Sequence, residues 1–378
     1  MDSMSCRVLS QTLTYWGTTA VAVKNISRAL PARSSQPGRG KYFPPLPLVK
    51  GDAAVSAASF SNSEIMFKLY FKLSKKLELS RSRIESFSKN APNMYKVYTI
   101  PKRTSGRRVI AHPSRELKVY QRALVEILAS SFEPHHCSFA YRKQLSIKEN
   151  ALVHSRNSYL LKMDFSEFFN SIEPDMLFSA AKVRNIGLSD AEKRLVENLV
   201  FWNKTKSHNT KLVLSVGAPS SPLISNFIMF EFDRLMYEFS KNNSIVYTRY
   251  ADDITFSTNR KNTLFDVPNE VNRVLSKFYD YRISINSTKT VFSSKAHNRH
   301  ITGVTITNDG KLSIGRSRKR MISSLIHQFT LKKIDSCDFS YLQGLLSFAS
   351  HIEPSFIFSM KSKYGDEIIT QIIKGDFS

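Results

Sequence analysis

Residues 247–257 read YTRYADDITFS: a run of β-forming residues, two adjacent acids, Asp252 and Asp253, then a second β-forming run. Successive side chains of a strand point to opposite faces, so neighbouring acids cannot aim at one point unless a tight turn separates the runs. The stretch therefore reads as a hairpin whose turn, Ala251-Asp252-Asp253, holds both carboxylates at a sheet edge. An ordinary Asp-rich turn has the same appearance. What decides between them is what else the chain brings to this point.

A third acid stands in LLKMDFSEFF, residues 160–169. Asp164 ends an apolar strand, where a lone buried carboxylate would be costly. Three converging carboxylates repel one another unless cations lie between them. Hard divalent ions such as Mg²⁺ take oxygen ligands and leave room for water and phosphate. Two such ions can stabilise the attacking and leaving oxygens of an in-line displacement at phosphorus. The net charge of +24, from 55 Lys and Arg against 31 Asp and Glu, calls for a polyanionic partner. Nucleic acid comes first and an anionic membrane surface second. Acids and charge together point to nucleotidyl transfer or nucleic-acid cleavage.

The 378 residues suffice for two or three subdomains, and 42% hydrophobic content with 26 Phe describes a folded chain. No run approaches the roughly 18 apolar residues of a membrane span, and MDSMSCRVLS lacks the core of a signal peptide. Cys6, Cys137 and Cys337 are scattered and suggest neither a disulfide framework nor a zinc site. A cytoplasmic location is the expectation. Residues 1–62, rich in Pro, Gly, Ser and Ala, read as a partly extended or disordered extension.

Helical spacing starts at Ile65. Residues 94–114 read as strand, turn, strand, and Ser114 caps the helix that follows. The strand ending at Asp164 should pass into a helix. Residues 179–201 look helical with a break at Gly187, and 212–236 read as a loop and then a helix, with Pro222 near its start. A helix is expected at 265–279, strands at 281–293 and 300–314, and helices at 317–332, 338–350 and 364–373. Hairpins without repeated βαβ units give an α+β fold, an antiparallel sheet backed by helices.

YADD at 250–253, MDFSEFFNSI at 163–172 and VGAPSSPLISNF at 216–227 resemble motifs C, A and B of reverse transcriptases, in that family's order. NALVH at 150–154 and Thr302-Gly303 within ITGVTI resemble two elements of the bacterial retron reverse transcriptases, with Ile301 in place of Val. HPSRELKVYQR at 112–122 and LQGLLSF at 342–348 are similar to other parts of that group. The resemblance covers roughly residues 63–375. It implies a right-hand polymerase fold. Residues 63–160 would form fingers with N-terminal helices, and 161–300 the palm, with fingers elements near 180–220. Residues 301–378 would complete the palm and add a short, basic helical thumb.

The resemblance also implies roles. Asp164, Asp252 and Asp253 would be catalytic. Two Mg²⁺ ions, with Mn²⁺ a possible substitute, would sit on Asp164 and Asp252 with the Phe165 carbonyl, Asp253 tuning the site from the side. Phe169 would exclude a ribose 2′-OH and so select dNTPs. Arg108, helped by Lys102 or Arg103, would grip the triphosphate, Gly217 and Ala218 would face the nucleotide, and Lys289 would protonate leaving pyrophosphate. Val216 stands where many relatives have Gln. Residues 281–333 hold eleven Lys and Arg against one acid, Asp309. Arg316, Arg318, Lys319 and Arg320 are therefore expected at RNA, with Asn150, His154, Arg299, Thr302 and Gly303 nearby.

The implied partners are a cognate non-coding RNA, its branched DNA product (msDNA) primed from a guanosine 2′-OH, and an effector protein encoded nearby that acts in antiphage defence. The rivals are a group II intron or diversity-generating reverse transcriptase, an idle RNA-binding scaffold and a metal nuclease. The length argues against an intron enzyme and the intact acids against a scaffold. A nuclease explains neither VGAPSSP nor Phe169.

Overall fold

A computed structural model of the chain describes residues 65–66, 68–101, 106–205 and 211–377. The expected extension over residues 1–62 lies outside the described residues, as do Lys102 and Arg103.

The centre is a four-stranded antiparallel sheet in the order Val291–Ser294, Tyr159–Asp164, Asp253–Thr258, Val246–Tyr250. The period of two sorts its side chains. Leu161, Met163, Ile254, Phe256 and Tyr247 enter the main apolar core, where the helices Phe230–Asn242 and Val267–Tyr279 pack beneath the sheet. Asp164, Asp253, Lys162, Thr255, Thr248 and Ser257 occupy the opposite face. One face is thus an ordinary helix-backed surface, and the other carries two of the three acids.

N-terminal to the sheet, helices Leu69–Leu77, Arg81–Asn90 and Arg115–Leu128 accompany the hairpin Tyr95–Pro101/Arg107–Pro113. Ser114 caps its helix as read, its hydroxyl accepting from Leu117 N at 3.2 Å. Gly187 marks a break, between helices Pro174–Val183 and Asp190–Val200. C-terminal to the sheet, three short strands lead into helices Arg316–Thr330, Ser336–Ile352, Pro354–Tyr364 and Asp366–Lys374. These helices form a second apolar core around Ile322, Leu342, Leu346 and Ile369, which Ala151 and Leu160 join from the sheet side. No helix among the described residues is long and apolar enough to cross a membrane.

Several local expectations change. Ile65 and Met66 pair in parallel with Ile186 and Gly187, and the first helix starts only at Leu69. After Asp164 the chain makes a 3-10 turn, Phe168–Ser171, entered through Glu167 at φ 45°, in place of a helix. The helix Pro354–Tyr364 was not foreseen. Pro354 ends one helix by restricting Glu353 and opens the next, where its missing N–H costs nothing.

Arg249, fully buried, ties these parts together. Its Nε and Nη2 donate to the Asp233 carboxylate at 2.8 and 2.7 Å, and both side chains are 0% exposed. Nη1 donates to Asn226 Oδ1 at 3.0 Å and to the Ala251 carbonyl at 3.1 Å. Tyr247 donates to the same Asp233 at 2.7 Å. Removing the charge of Asp233 strands a guanidinium in the interior. We therefore expect Asp233→Asn to cost about 3–5 kcal/mol, seen as a lower urea midpoint with an unchanged m value.

Candidate active site

Tyr250 pairs with Asp253, which leaves Ala251 and Asp252 as a two-residue loop. Ala251 is left-handed at φ 58°, a conformation that costs a non-glycine residue about 1–2 kcal/mol. The Arg249 guanidinium on its carbonyl opposes relaxation of that turn. Asp252 is thereby held at the tip and Asp253 at the first position of the returning strand, directly opposite Asp164 in register. The Asp252 carbonyl also accepts from Phe165 N at 3.0 Å. The two adjacent acids read from the sequence do meet Asp164.

Burial, followed by the charge on Asp164, raises the pKa of Asp252. Burial, Asp252 and Asp164 together push Asp253 up to about 7. The cluster is short of positive charge, and Lys289 supplies part of it. Its Nζ donates to both Asp164 oxygens, at 2.8 and 3.0 Å. The turn Ser287–Lys289 that presents it is anchored by Asn286, whose N–H donates to the Asp164 carbonyl at 2.8 Å. An ammonium bridging carboxylate oxygens stands in for a cation, and the donor set is all hard oxygen. The residues fit a divalent ion of the Mg²⁺ class.

Around this point the aromatic pair divides. Phe168 is buried in the core, stacked on Phe165 at 5.3 Å, whereas Phe169 is half-buried at the rim. Gly217 adopts φ 137° in the loop before helix Ser221–Ile228, and Ala218 beside it is buried. Ser215 Oγ donates to the Ala111 carbonyl, and Ser221 Oγ donates to the Ser215 carbonyl at 2.7 Å. This loop is therefore stitched to the strand Arg107–Pro113, which carries the exposed Arg108. The charge of Arg108 reaches Asp252, where it acts to lower the pKa.

Three expected RNA contacts, His154, Arg299 and Asn150, are corrected, because all three are buried. His154 is buried, its Nδ1 at 2.7 Å from Ser257 Oγ and its Nε2 at 2.8 Å from Thr248 Oγ1. Burial pushes its pKa down to about 3. It is a neutral strut across two strands, not a surface ligand. Arg299 is likewise 1% exposed, and its guanidinium donates to the carbonyls of Asn157 and Thr307. Asn150 is buried too, its Nδ2 3.4 Å from Thr302 Oγ1 and its Oδ1 without a partner. Thr302 at φ 45° and Gly303 at φ 83° form a turn left-handed at both central positions. Arg318 Nη1 donates to the Gly303 carbonyl at 2.7 Å, and Lys319 pairs with Glu353 at 2.6 Å. Arg316 and Arg320 are exposed, one helical turn apart.

The sequence reading missed Lys162. It lies two residues before Asp164, hence on the same sheet face, and its charge acts on Asp253. Counting by two back from Asp164 would have found it. Nothing local could have paired Arg249 with Asp233.

A reverse transcriptase family pattern, described as "Reverse transcriptase (RNA-dependent DNA polymerase)", matches residues 100–306. The chain is 49% identical to the retron Ec83 reverse transcriptase of Escherichia coli, over 74% of this chain and 90% of that protein. It is 32% identical to the retron Ec73 reverse transcriptase of Escherichia coli, over 74% of this chain and 89% of that protein. Among solved structures it overlaps telomerase from Candida albicans in complex with a TWJ fragment of telomeric RNA. That overlap covers 74% of this chain and 61% of that one at 13% identity and a TM-score of 0.41, too loose to bear on function.

The carboxylate shifts have a signed consequence. A raised pKa means that the fold favours the protonated acid. The cost of the charged cluster is relieved below the ordinary carboxylate value of 3.8, grows as pH rises and is complete above about 7. Mg²⁺ competes with those protons. It should raise the melting temperature more at pH 8 than at pH 6, and Asp253→Asn should flatten that difference.

Proposed function

The chain belongs to the bacterial retron reverse transcriptases and is an RNA-directed DNA polymerase, and on that premise we propose that it copies one cognate structured non-coding RNA into DNA that stays joined to that RNA. The observation that carries the reading is the register of Asp164 against Asp253, with Asp252 at the turn and Lys289 bonded to Asp164. Priming from the 2′-OH of a guanosine in that RNA bonds its oxygen to the α-phosphorus of a dNTP and expels pyrophosphate. The product is branched msDNA. We place this activity in the cytoplasm, alongside an effector protein encoded nearby, in antiphage defence.

Two Mg²⁺ ions, for which Mn²⁺ can substitute, would be held by Asp164 and Asp252 with the Phe165 carbonyl. When bound they neutralise phosphate charge and lower the pKa of the attacking hydroxyl. The chain's own groups do the rest. Asp253 adjusts the charge of the cluster from the neighbouring strand position. Lys289, at hydrogen-bond distance from Asp164, is placed to give a proton to departing pyrophosphate. Arg108 grips the triphosphate through its planar fork, with Lys102 as helper. Phe169 closes the space under the sugar, and the backbone of Gly217 and Ala218 faces the base pair. Val216 offers no polar side chain there. At the RNA, Arg316 and Arg320 neutralise phosphates, with the Thr302-Gly303 turn behind them.

Co-purification tests the central claim. Expressed with its native flanking DNA, the wild-type protein should carry an RNA covalently joined to single-stranded DNA. Asp252→Asn should keep the RNA and lose the DNA. A wild-type protein carrying no DNA under those conditions defeats the retron reading. Separately, Phe169→Ala should improve incorporation of rNTPs relative to dNTPs about tenfold or more, measured by primer extension with each set alone.

A further inference from the structure

The outer edge of the central sheet carries a cluster that the reaction leaves unused. Among the described residues, the strand Val291–Ser294 is paired on one side only, with Tyr159–Asp164. On it Phe292, 43% exposed, meets Phe265, 61% exposed. The ring centres are 5.3 Å apart and the planes tilt by 45°, so the rings do not cover one another's faces. Beside them opens a cleft of about 190 Å³, also lined by Tyr159, Arg260, His297 and Ser293. The Ser293 hydroxyl has no hydrogen-bond partner.

Charge and position say what fits. The two segments that build the cleft, 257–265 and 291–298, contain Arg260, Lys261 and Lys295, all exposed, and no acid. Aromatic faces interleaved with cations are the surface that takes single strands, because every base has a π face and every nucleotide a phosphate. Register links the cleft to the reaction. Val291 pairs with Lys162 and Ser294 with Tyr159, so this strand starts beside Lys289 and ends at the cleft. Tyr159 and Asp164 are the two ends of one six-residue strand, roughly 17 Å apart at 3.4 Å per residue. An apolar protein partner would also cover the rings and the exposed Val291, but the exposed Arg260, Lys261 and Lys295, against Asp266 as the neighbouring acid, favour a polyanion.

We propose that this cleft is a base-stacking subsite for single-stranded RNA. One unstacked base inserts against Phe292 and Phe265, and Arg260 and His297 meet the phosphates on either side. The subsite rests on the reading of an RNA partner, and holds that RNA outside the catalytic groove.

The test uses the full-length protein with its groove saturated by a blunt RNA–DNA primer–template. The probe is a short fluorescein-labelled oligouridylate, and binding is followed by anisotropy. Wild type should bind, and the double variant Phe265→Ala/Phe292→Ala should bind about tenfold more weakly. Phe292→Trp should restore affinity, with its indole emission quenched by the RNA. Extension of a preannealed primer should be unchanged throughout, which shows that each variant is folded. Equal affinity of wild type and double variant overturns the subsite and leaves the RNA partner standing. Failure of wild type to bind either oligouridylate or any co-purified RNA removes the RNA reading itself. Tighter binding of oligothymidylate, lost in the double variant, assigns the cleft to DNA and overturns the proposal. Unchanged oligouridylate affinity with loss of a co-purifying protein assigns it to a protein partner and overturns it equally.

Discussion

A single buried cation sets the geometry of this molecule. Arg249 lies in the strand that leads to the Ala251-Asp252 turn, and its guanidinium reaches Asp233, Asn226 and the Ala251 carbonyl at once. Its main chain bonds Cys137 and Phe139 besides. Two helices, one strand, one loop and the turn therefore share a common reference point. Buried ion pairs contribute little net stability over apolar packing, because two charges must be desolvated. The fixed directions of the guanidinium N–H groups act differently: they define where each neighbour sits. Ala251 stays left-handed because this scaffold surrounds it, and Asp252 projects where it does because Ala251 is left-handed.

The acids downstream of that anchor are held against their own preference. Burial and mutual repulsion both favour protonation of Asp252 and Asp253, so a cation entering the cluster has to displace protons from it. Lys289 is a partial answer, tethered through Asn286 to the very strand that ends in Asp164. It is mostly exposed on its own side, so its attraction to Asp164 is screened by water and open to competition. A more deeply buried counter-charge would be harder to displace from Asp164.

Much of this was legible because the informative features are local. A turn between β-forming runs, a serine before a helix, Gly187 between two helical patterns and an acid closing an apolar strand each act within a few residues. His154 and Arg299 misled for the opposite reason. Their chemical types suggest solvent and RNA, but Ser257, Thr248, Asn157 and Thr307, to which they bond, are brought in by the fold. Lys319 has the same history with Glu353. A basic run announces charge without saying which cations are already engaged. Arg316 and Arg320 stand apart from Lys319 only once Glu353 is seen across the groove between helices.

The contact between Asn150 and Thr302 has an evolutionary consequence. One residue lies on the helix Ile147–Val153, ahead of the central strands, and the other in a hairpin behind them. Ala151, from the same short helix, is part of the C-terminal core. The C-terminal helices are thus not a detachable cassette. A hybrid that inherits them from one parent and residues 147–153 from another splits a single packing unit across the graft. A graft of the C-terminal helices must carry residues 147–153 with it, though more than 140 residues lie between the two pieces.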